Sequence, residues 1–315
     1  MRDIFIERLT KLAERDRRIM LITGDLGFKV LDDYAARFPQ QFLNAGVAEQ
    51  NMTGLAAGMA LEGHIVFTYS IANFTFMRCL EQIRNDAAYH DCNVNVVAVG
   101  GGFSYGSLGI SHHATEDLTI MRSLPNTIVA SPCDDWEASE ITEAVAYSPG
   151  VSYLRLDKST AGDTHRDGEE FKLGQARVVR DGRHVTLAAT GGVLAEALKA
   201  ADELATQGIT ARVVSVHTVK PLDVECFVSA ARETEGIITV EEHTIDGGLG
   251  GAVAESLMEL GVAPGFFHRV GLRAGFSSVV GSQDYLRGIY GINSEAIVEA
   301  TVAKLSRPES QRRAA

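Results

Sequence analysis

The sequence predicts an α/β protein of two domains, each built on a mainly parallel sheet. Short apolar runs of strand length alternate with segments of helical periodicity along most of the 315 residues. Such alternation favours parallel strands, because each crossover then has room for a helix. Charge and glycine interrupt the alternation at 159–172, and a hydrophobic content of 45% is enough for about two cores. We therefore predict a first domain at 1–158, a linker at 159–174, a second domain at 175–308 and a tail at 309–315.

The first domain begins with a helix, since Phe5, Leu9, Leu12 and Ala13 recur at helical spacing. Its further predicted elements are strand 19–23, helix 31–38, strand 42–43, helix 52–61, strand 64–69, helix 74–89, strand 94–99, helix 114–122, strand 127–130, helix 134–147 and strand 151–156. The second domain repeats the alternation on a smaller scale. Its predicted elements are strand 185–189, helix 193–206, strand 211–216, helix 223–232, strand 237–240, helix 252–260, a strand near 267–270 and helix 294–305.

The stretch 44–51 leads from a short strand into a helix made almost entirely of small residues, with Glu49 at its first turn. Gly54 and Gly58 lie one turn apart in this helix, and each costs roughly 1 kcal/mol relative to alanine. We therefore expect something to pack close to this backbone and Glu49 to lie deep. Glu49 could instead be an exposed partner of the helix dipole. A buried glutamate has its pKa raised toward neutrality, which would let it carry and share a proton.

Two loops follow predicted strands and are candidate ligand sites. Asp25 lies between Gly24 and Gly27 at the end of the first strand, as a turn former or a ligand contact. The loop 100–113 holds five glycines and ends in His112 and His113. It is either a mobile surface loop or a backbone that must approach a ligand closely, and the paired histidines favour the ligand.

The composition excludes some classes of partner and favours a cytoplasmic protein. The chain has 29 Lys plus Arg against 41 Asp plus Glu and no basic run, so it is a poor binder of nucleic acid or anionic membrane. Its four cysteines lack CxxC and zinc spacing, which is typical of reduced thiols. No apolar run is long enough to span a bilayer, and residues 1–20 do not read as an export signal. No metal site of its own is predicted for this chain.

Nine short motifs, considered together, resemble a known family. They are 24–26 (Gly-Asp-Leu), 38–39 (Phe-Pro), 42–51 (Phe-Leu-Asn-Ala-Gly-Val-Ala-Glu-Gln-Asn), 81–84 (Glu-Gln-Ile-Arg), 111–113 (Ser-His-His), 117–118 (Asp-Leu), 122–126 (Arg-Ser-Leu-Pro-Asn), 240–243 (Val-Glu-Glu-His) and 247–250 (Gly-Gly-Leu-Gly). Over nearly its whole length the chain resembles the C-terminal half of transketolases, a pyrimidine-binding domain followed by the transketolase C-terminal domain.

The resemblance implies thiamine diphosphate chemistry and assigns cofactor contacts. Glu49 would hydrogen-bond N1′ of the cofactor's aminopyrimidine, so that the exocyclic nitrogen can take the proton from thiazolium C2. Asp25 matches a family acid near the cofactor. An aromatic side chain at 74–76 would stack on the pyrimidine, and we prefer Phe74 to Phe76. Both phenylalanines could equally belong to the core.

The resemblance also implies substrate contacts, and at some of these positions the chain differs from the family pattern. His112 matches a histidine that contacts substrate oxygens, and His113 is its neighbour. Lys158 stands where transketolases have an arginine that binds the sugar phosphate, with Arg155 nearby; lysine binds phosphate as a point charge without the bidentate fork. Leu108 replaces an aspartate that reads the donor hydroxyl, and Gly100 replaces a histidine. These changes suggest a specialised sugar or another ketol donor.

The family's pyrophosphate-binding domain has no counterpart in this sequence. The resemblance therefore implies an N-terminal transketolase subunit as partner, which would bind most of the Mg²⁺, an α2β2 assembly, and a homodimer of this chain when alone. The implied function is transfer of a two-carbon ketol unit between a ketose, expected to be phosphorylated, and an aldose. A deoxyxylulose-phosphate-synthase-like enzyme, a 2-oxoacid dehydrogenase β-like subunit, a non-catalytic assembly subunit and a nucleotide-binding α/β protein are the alternatives.

Overall fold

A computed structural model describes residues 1–273 and 275–306 of the chain. The elements of the first half are α1 (Arg2–Arg15), β1 (Ile19–Thr23), α2 (Asp32–Arg37), β2 (Phe42–Asn44), α3 (Glu49–Leu61), β3 (Ile65–Ile71), α4 (Ala72–Thr75), α5 (Leu80–Gln82), a π-helical segment (Ile83–Ala88), β4 (Val94–Val99), a 3₁₀ turn (Gly106–Leu108), α6 (Asp117–Ser123), β5 (Thr127–Ala130), α7 (Asp135–Ala146) and β6 (Val151–Leu156). Those of the second half are β7 (Arg177–Arg180), β8 (Val185–Thr190), α8 (Leu194–Thr206), β9 (Ala211–Ser215), β10 (Thr218–Lys220), α9 (Val224–Glu233), β11 (Ile237–Thr244), α10 (Leu249–Glu259), β12 (Phe267–Leu272), α11 (Gln283–Ile289) and α12 (Ser294–Leu305).

The strands form two mainly parallel sheets, which confirms the predicted α/β class. The larger sheet has the order β10-β5-β6-β4-β3-β1-β2, with only β10 antiparallel to its neighbour. The smaller sheet has the order β12-β11-β8-β9-β7, with only β7 antiparallel. Every residue of β4 and β6 is buried. Full burial follows from helices on both faces, and it explains why these strands are mostly apolar, with Asn95, Ser152 and Arg155 as the exceptions.

The two halves of the chain are interlocked by β10 and by the segment after β6. β10 comes from the second half of the sequence but pairs with β5 at the edge of the first sheet. The predicted linker is held by Arg177, which donates to Glu137 at 2.7 Å and to Glu169 at 2.8 Å. The predicted boundaries at 158 and 174 stay predictions, and the predicted tail at 309–315 lies outside the described residues.

The structure corrects three expectations for individual elements. The predicted helix at 74–89 is broken into α4, α5 and the π-helical segment, with a turn at 76–79. Aromatic and β-branched residues at 74–76 form helices poorly, which favours this break. Strands β7 and β10 and helix α11 were not predicted. Finally, α10 begins at Leu249 rather than near 252, because the buried carboxylate of Glu241 accepts from the first backbone N–H groups, those of Leu249 and Gly250.

The small-residue helix α3 is open on the side of its two glycines in the described chain. A Cβ built on Gly54 or Gly58 would have no described atom within 4 Å. Val47 and Leu61, near its two ends, are exposed. The helix therefore presents an open apolar face within this chain, and the expectation that something packs close to its backbone stays a prediction.

In the described part of the chain, no helix combines the length and the apolar character needed to cross a membrane. The four cysteines are all free, and three of them are buried.

Candidate active site

Glu49 lies at the first turn of α3, close to the carboxyl end of β1. It is 3% exposed, so the sequence-based expectation of a buried carboxylate is confirmed. A Cβ built on Gly24, at the end of β1, would lie 3.2 Å from Cγ of Glu49. Glycine at 24 therefore lets the Glu49 side chain pack against the strand end, and this packing fixes where the carboxylate is presented.

Arg78 contacts both the Glu49 carboxylate and the ring of Phe74. Nη1 of Arg78 donates to Oε2 of Glu49 at 2.8 Å, and the Arg78 side chain is 44% exposed. The Arg78 guanidinium carbon lies 4.5 Å from the centroid of the Phe74 ring, a cation–π distance. Sequence reasoning missed Arg78. Arg78 follows Phe74 by four residues, a spacing at which side chains on a helix meet. This spacing was the signal in the sequence that could have identified Arg78.

A continuous row of side chains leads from Glu49 to Lys158. The Phe74 ring meets the His112 ring edge-on with centroids 5.2 Å apart, and the His112 and Tyr105 centroids are 6.1 Å apart. Nζ of Lys158 lies 3.8 Å from the centroid of Tyr105. We call this set the site row, and its members in spatial order are Glu49, Arg78, Phe74, His112, Tyr105 and Lys158. The structure thus brings four residues predicted from the sequence into one row, together with two that were missed.

Burial shapes the charges along this row. Desolvation lowers the pKa of His112, which keeps the imidazole neutral near pH 7 and able to both donate and accept a hydrogen bond. Desolvation also lowers the pKa of Lys158. The site row therefore offers a buried carboxylate at one end, a neutral imidazole in the middle and an amine at the other end.

Tyr105 fills the space above Gly100. A Cβ built on Gly100 would lie only 2.1 Å from Cε2 of Tyr105, and Gly100 has a φ of +89°. A histidine cannot occupy position 100 in this arrangement, because its side chain would collide with the Tyr105 ring. Leu108 lies in the same loop and is 55% exposed. The loop thus presents an apolar side chain where the resemblance implies an aspartate.

The structure distinguishes between the candidate aromatic residues and places Asp25. Phe76 is fully buried and meets the ring of Tyr153, whereas Phe74 is half-buried beside Arg78. The accessible ring is therefore Phe74, as preferred from the sequence. Asp25 is exposed, has a φ of +57°, and exchanges hydrogen bonds of 3.0 Å with the side chain of Asn44. Asn44 ends β2, so Asp25 is held at the same end of the sheet as Glu49.

Arg155 and His113 are not placed to meet a substrate. Arg155 is 0% exposed; it lies 3.1 Å from Asp117 and donates to the carbonyl of Glu242 at 2.9 Å. His113 is buried, with Nδ1 2.6 Å from Oγ of Ser277. Both side chains are enclosed within the protein. Their placement argues against the sequence-based hypothesis that they bind substrate, which sequence spacing alone could not reveal.

The second half of the chain anchors the loop that carries His112. The buried Glu242 accepts from the backbone N–H of Phe103 at 2.5 Å and from Nε2 of Gln283 at 2.8 Å, and it pairs with Arg287. A Cβ on Gly102 would lie 2.4 Å from Oε1 of Glu242. The glycine at 102 is needed for this close approach, and the contact ties the glycine-rich loop to β11 and α11.

Comparison with known proteins assigns the family. Residues 1–163 match the transketolase pyrimidine binding domain, and residues 174–297 match the transketolase C-terminal domain. The chain belongs to the transketolase family.

Relatives of this transketolase chain are similar over almost their whole length. It is 36% identical over 313 residues to a protein of Methanocaldococcus jannaschii named putative transketolase C-terminal section, covering 98% of this chain and 96% of that one. It is 38% identical to a 6-deoxy-6-sulfo-D-fructose transketolase subunit of Clostridium sp. (strain MSTE9), covering 95% and 92%. A solved structure titled split gene transketolase, inactive beta4 tetramer, superposes with a TM-score of 0.88 at 36% identity, covering 97% and 98%.

The transketolase family implies thiamine diphosphate, and the geometry at Glu49 fits half of this cofactor. Arg78 shows that a flat, nitrogen-bearing group can stack on Phe74 while donating to Glu49. An aminopyrimidine ring needs the same two contacts, so Glu49 and Phe74 fit it. The described residues offer fewer groups that could bind the diphosphate and its metal ion. The described residues hold one cluster of possible metal ligands, Cys133 with Asp134 and Glu137, and it is buried. Its carboxylates already accept hydrogen bonds from Thr164, Arg177 and Ser215, among others.

Proposed function

We propose that this chain is the C-terminal subunit of a split, thiamine diphosphate-dependent transketolase. It would transfer a two-carbon ketol unit from a phosphorylated ketose to an aldose acceptor. The observation that carries the proposal is the buried Glu49 carboxylate, which is linked to Phe74 through Arg78 at one end of the site row. Burying a carboxylate beside an aromatic ring costs desolvation free energy. A ligand that hydrogen-bonds the carboxylate would offset this cost, and such arrangements are typical of functional sites.

Four members of the site row have a distinct task in this proposal. Glu49 holds a proton at N1′ of the bound pyrimidine, and Phe74 supports the face of that ring. The cofactor, when bound, supplies the carbon nucleophile and the electron sink. The neutral imidazole of His112 can donate to or accept from a sugar oxygen. Lys158 attracts the phosphate of the sugar as a point charge.

The remaining half of the cofactor site is proposed to come from another polypeptide. The relatives that this chain covers at 96% and 92% are themselves named a C-terminal section and a subunit. The partner would be an N-terminal subunit with the pyrophosphate-binding domain, and it would bind the Mg²⁺ and the diphosphate. The open face of α3, with Gly54, Gly58 and Leu61, would be covered by a neighbouring subunit, since close helix approach needs small residues.

The expected assembly with the partner is α2β2. For the chain alone the sequence predicts a homodimer, whereas the related structure is described as a β4 tetramer. Light scattering on the isolated chain distinguishes two copies from four. We also assign the protein to the cytoplasm, since its four cysteines are free.

The test of the proposed function is reconstitution. The chain is mixed with an N-terminal transketolase subunit of the same organism, and transfer is measured with a panel of ketose phosphates in the presence of thiamine diphosphate and Mg²⁺. Activity is expected for the mixture and not for either chain alone. Glu49→Gln should lower kcat about 100-fold or more, the usual size for loss of a general acid–base group. Glu62→Gln, at an exposed position at the end of the same helix, is the matched control.

If the Glu49→Gln mixture keeps full activity, the catalytic assignment is wrong and the chain is a non-catalytic assembly subunit. Tight binding of a nucleotide by the chain alone, measured by calorimetry, would favour the nucleotide-binding alternative instead.

A further inference from the structure

Arg78 lies where a cofactor ring would have to bind. Its Nη1 donates to Oε2 of Glu49 at 2.8 Å, and its guanidinium carbon lies 4.5 Å from the centroid of Phe74. A guanidinium is flat and cationic, and its N–H groups lie in the plane of the group. Arg78 therefore makes the two contacts that the aminopyrimidine ring needs, namely stacking on an aromatic face and donation to a buried carboxylate.

We propose that Arg78 is a displaceable plug in the pyrimidine seat, where the seat is the space bounded by Glu49 and Phe74. In the chain without cofactor the Arg78 guanidinium fills this seat. Cofactor binding requires the Arg78 side chain to leave, so Arg78 competes with the pyrimidine for both contacts. This inference rests on the proposed function.

The burial of Glu49 explains why a plug is needed. A buried carboxylate without a cation or donors is costly, so a compensating cation beside Glu49 is favourable in the chain without cofactor. Gly24 packs against Glu49, since a Cβ at position 24 would lie 3.2 Å from its Cγ. The carboxylate is thereby confined at the strand end, and Arg78 brings the compensating charge to it.

The position of Arg78 makes displacement feasible. It lies in the turn at 76–79, between the short helices α4 and α5, and its side chain is 44% exposed. An ion pair with one partner this exposed is weak, because water can replace the contacts of the guanidinium. The guanidinium can therefore move into solvent when a ligand takes over its contacts with Glu49 and Phe74.

The first arm of the test uses the isolated chain and needs no cofactor. Unfolding midpoints are measured for the wild type, Arg78→Met, Glu49→Gln and the double variant. Methionine keeps much of the arginine stem without its charge. Arg78→Met should lower the midpoint in the wild-type background and have little effect in the Glu49→Gln background. Equal effects of Arg78→Met in the two backgrounds would show that no pairing with Glu49 exists, and would overturn the proposal.

The second arm measures the dissociation constant of thiamine diphosphate, with Mg²⁺, for the assembled pair of subunits by calorimetry. Subunits that carry Arg78→Met should bind the cofactor about fivefold more tightly, because binding no longer has to break the ion pair between Arg78 and Glu49. A fivefold change corresponds to about 1 kcal/mol. Arg84→Met is the matched control, because Arg84 is exposed nearby and hydrogen-bonds its neighbour Asn85. It should leave the constant unchanged.

The outcomes separate this inference from the proposed function. Unchanged or weaker cofactor binding by the subunits that carry Arg78→Met would overturn the proposal that Arg78 is a displaceable plug. Weaker binding would assign Arg78 to cofactor binding instead. A wild-type pair that binds no thiamine diphosphate would refute the proposed function and the seat together.

Discussion

Removal of the Glu242 carboxylate is expected to release the glycine-rich loop from the second half of the protein. Glu242 is buried and accepts from the backbone N–H of Phe103, from Gln283 and from the guanidinium of Arg287. Glu242→Ala leaves all three donors without this acceptor. Because Arg287 is itself 2% exposed, its charge cannot be hydrated easily. Breaking a buried ion pair from one side costs about 3–5 kcal/mol, and we expect a loss of this size.

Urea denaturation of the full chain measures this loss as a change in the free energy of unfolding. Glu299→Ala, at an exposed position of α12, is the matched control and should change the free energy by less than about 0.5 kcal/mol. Arg287→Met in the Glu242→Ala background removes the orphaned cation and should recover part of the stability. A loss below about 1 kcal/mol for Glu242→Ala would refute the reasoning that this carboxylate anchors the loop.

Three further predictions follow from the same structure. Gly100→His should lower the free energy of unfolding by on the order of 3 kcal/mol, because its Cβ would meet the Tyr105 ring at a residue with positive φ. Adding Tyr105→Ala should restore only part of this loss. An unchanged thermal unfolding midpoint for Gly100→His would contradict the packing. Burial raises the pKa of Glu241 from 4.5 to about 7. Between these pH values the folded state therefore binds more protons than the unfolded state. The contribution of this carboxyl group to stability is lost as the pH rises through that window. Relative to the wild type, Glu241→Gln should therefore gain stability from pH 4.5 to 7 in urea titrations, and parallel pH profiles would refute the assignment. In the assembled pair of subunits, Lys158→Met should raise KM for a phosphorylated ketose about tenfold without changing the affinity for the cofactor. Lys172→Met, at an exposed linker position, is the control and should change neither quantity. An unchanged KM for Lys158→Met would show that Lys158 does not bind the substrate.

The regular part of the fold could be predicted from the sequence because it is locally encoded. Strand β6 and helix α12 have the predicted bounds, 151–156 and 294–305. The first is a buried and mostly apolar strand, and the second follows Asn293, whose side chain caps the helix. Short elements stabilised by distant partners could not be predicted in this way. β10 has three residues and exists through its pairing with β5, which is nearly 90 positions away in sequence.

The candidate site was predicted where backbone pattern and chemistry coincide. The small-residue helix after a strand end indicated the burial of Glu49, and the glycine-rich loop led to His112. Arg78 and Tyr105 were missed because each lies in an irregular segment, where neighbours are set by tertiary packing. The burial of Arg155 was missed for a related reason. It depends on Asp117, from another element, which has no signature in the sequence around Arg155.

The most direct test of the central claim is a structure of the chain assembled with its N-terminal partner, thiamine diphosphate and Mg²⁺. The account predicts the pyrimidine stacked on Phe74 with a nitrogen in hydrogen-bond distance of the Glu49 carboxylate, and the Arg78 guanidinium displaced from between them. A cofactor seated elsewhere, with Arg78 still paired to Glu49 as it is in the isolated chain, would contradict it.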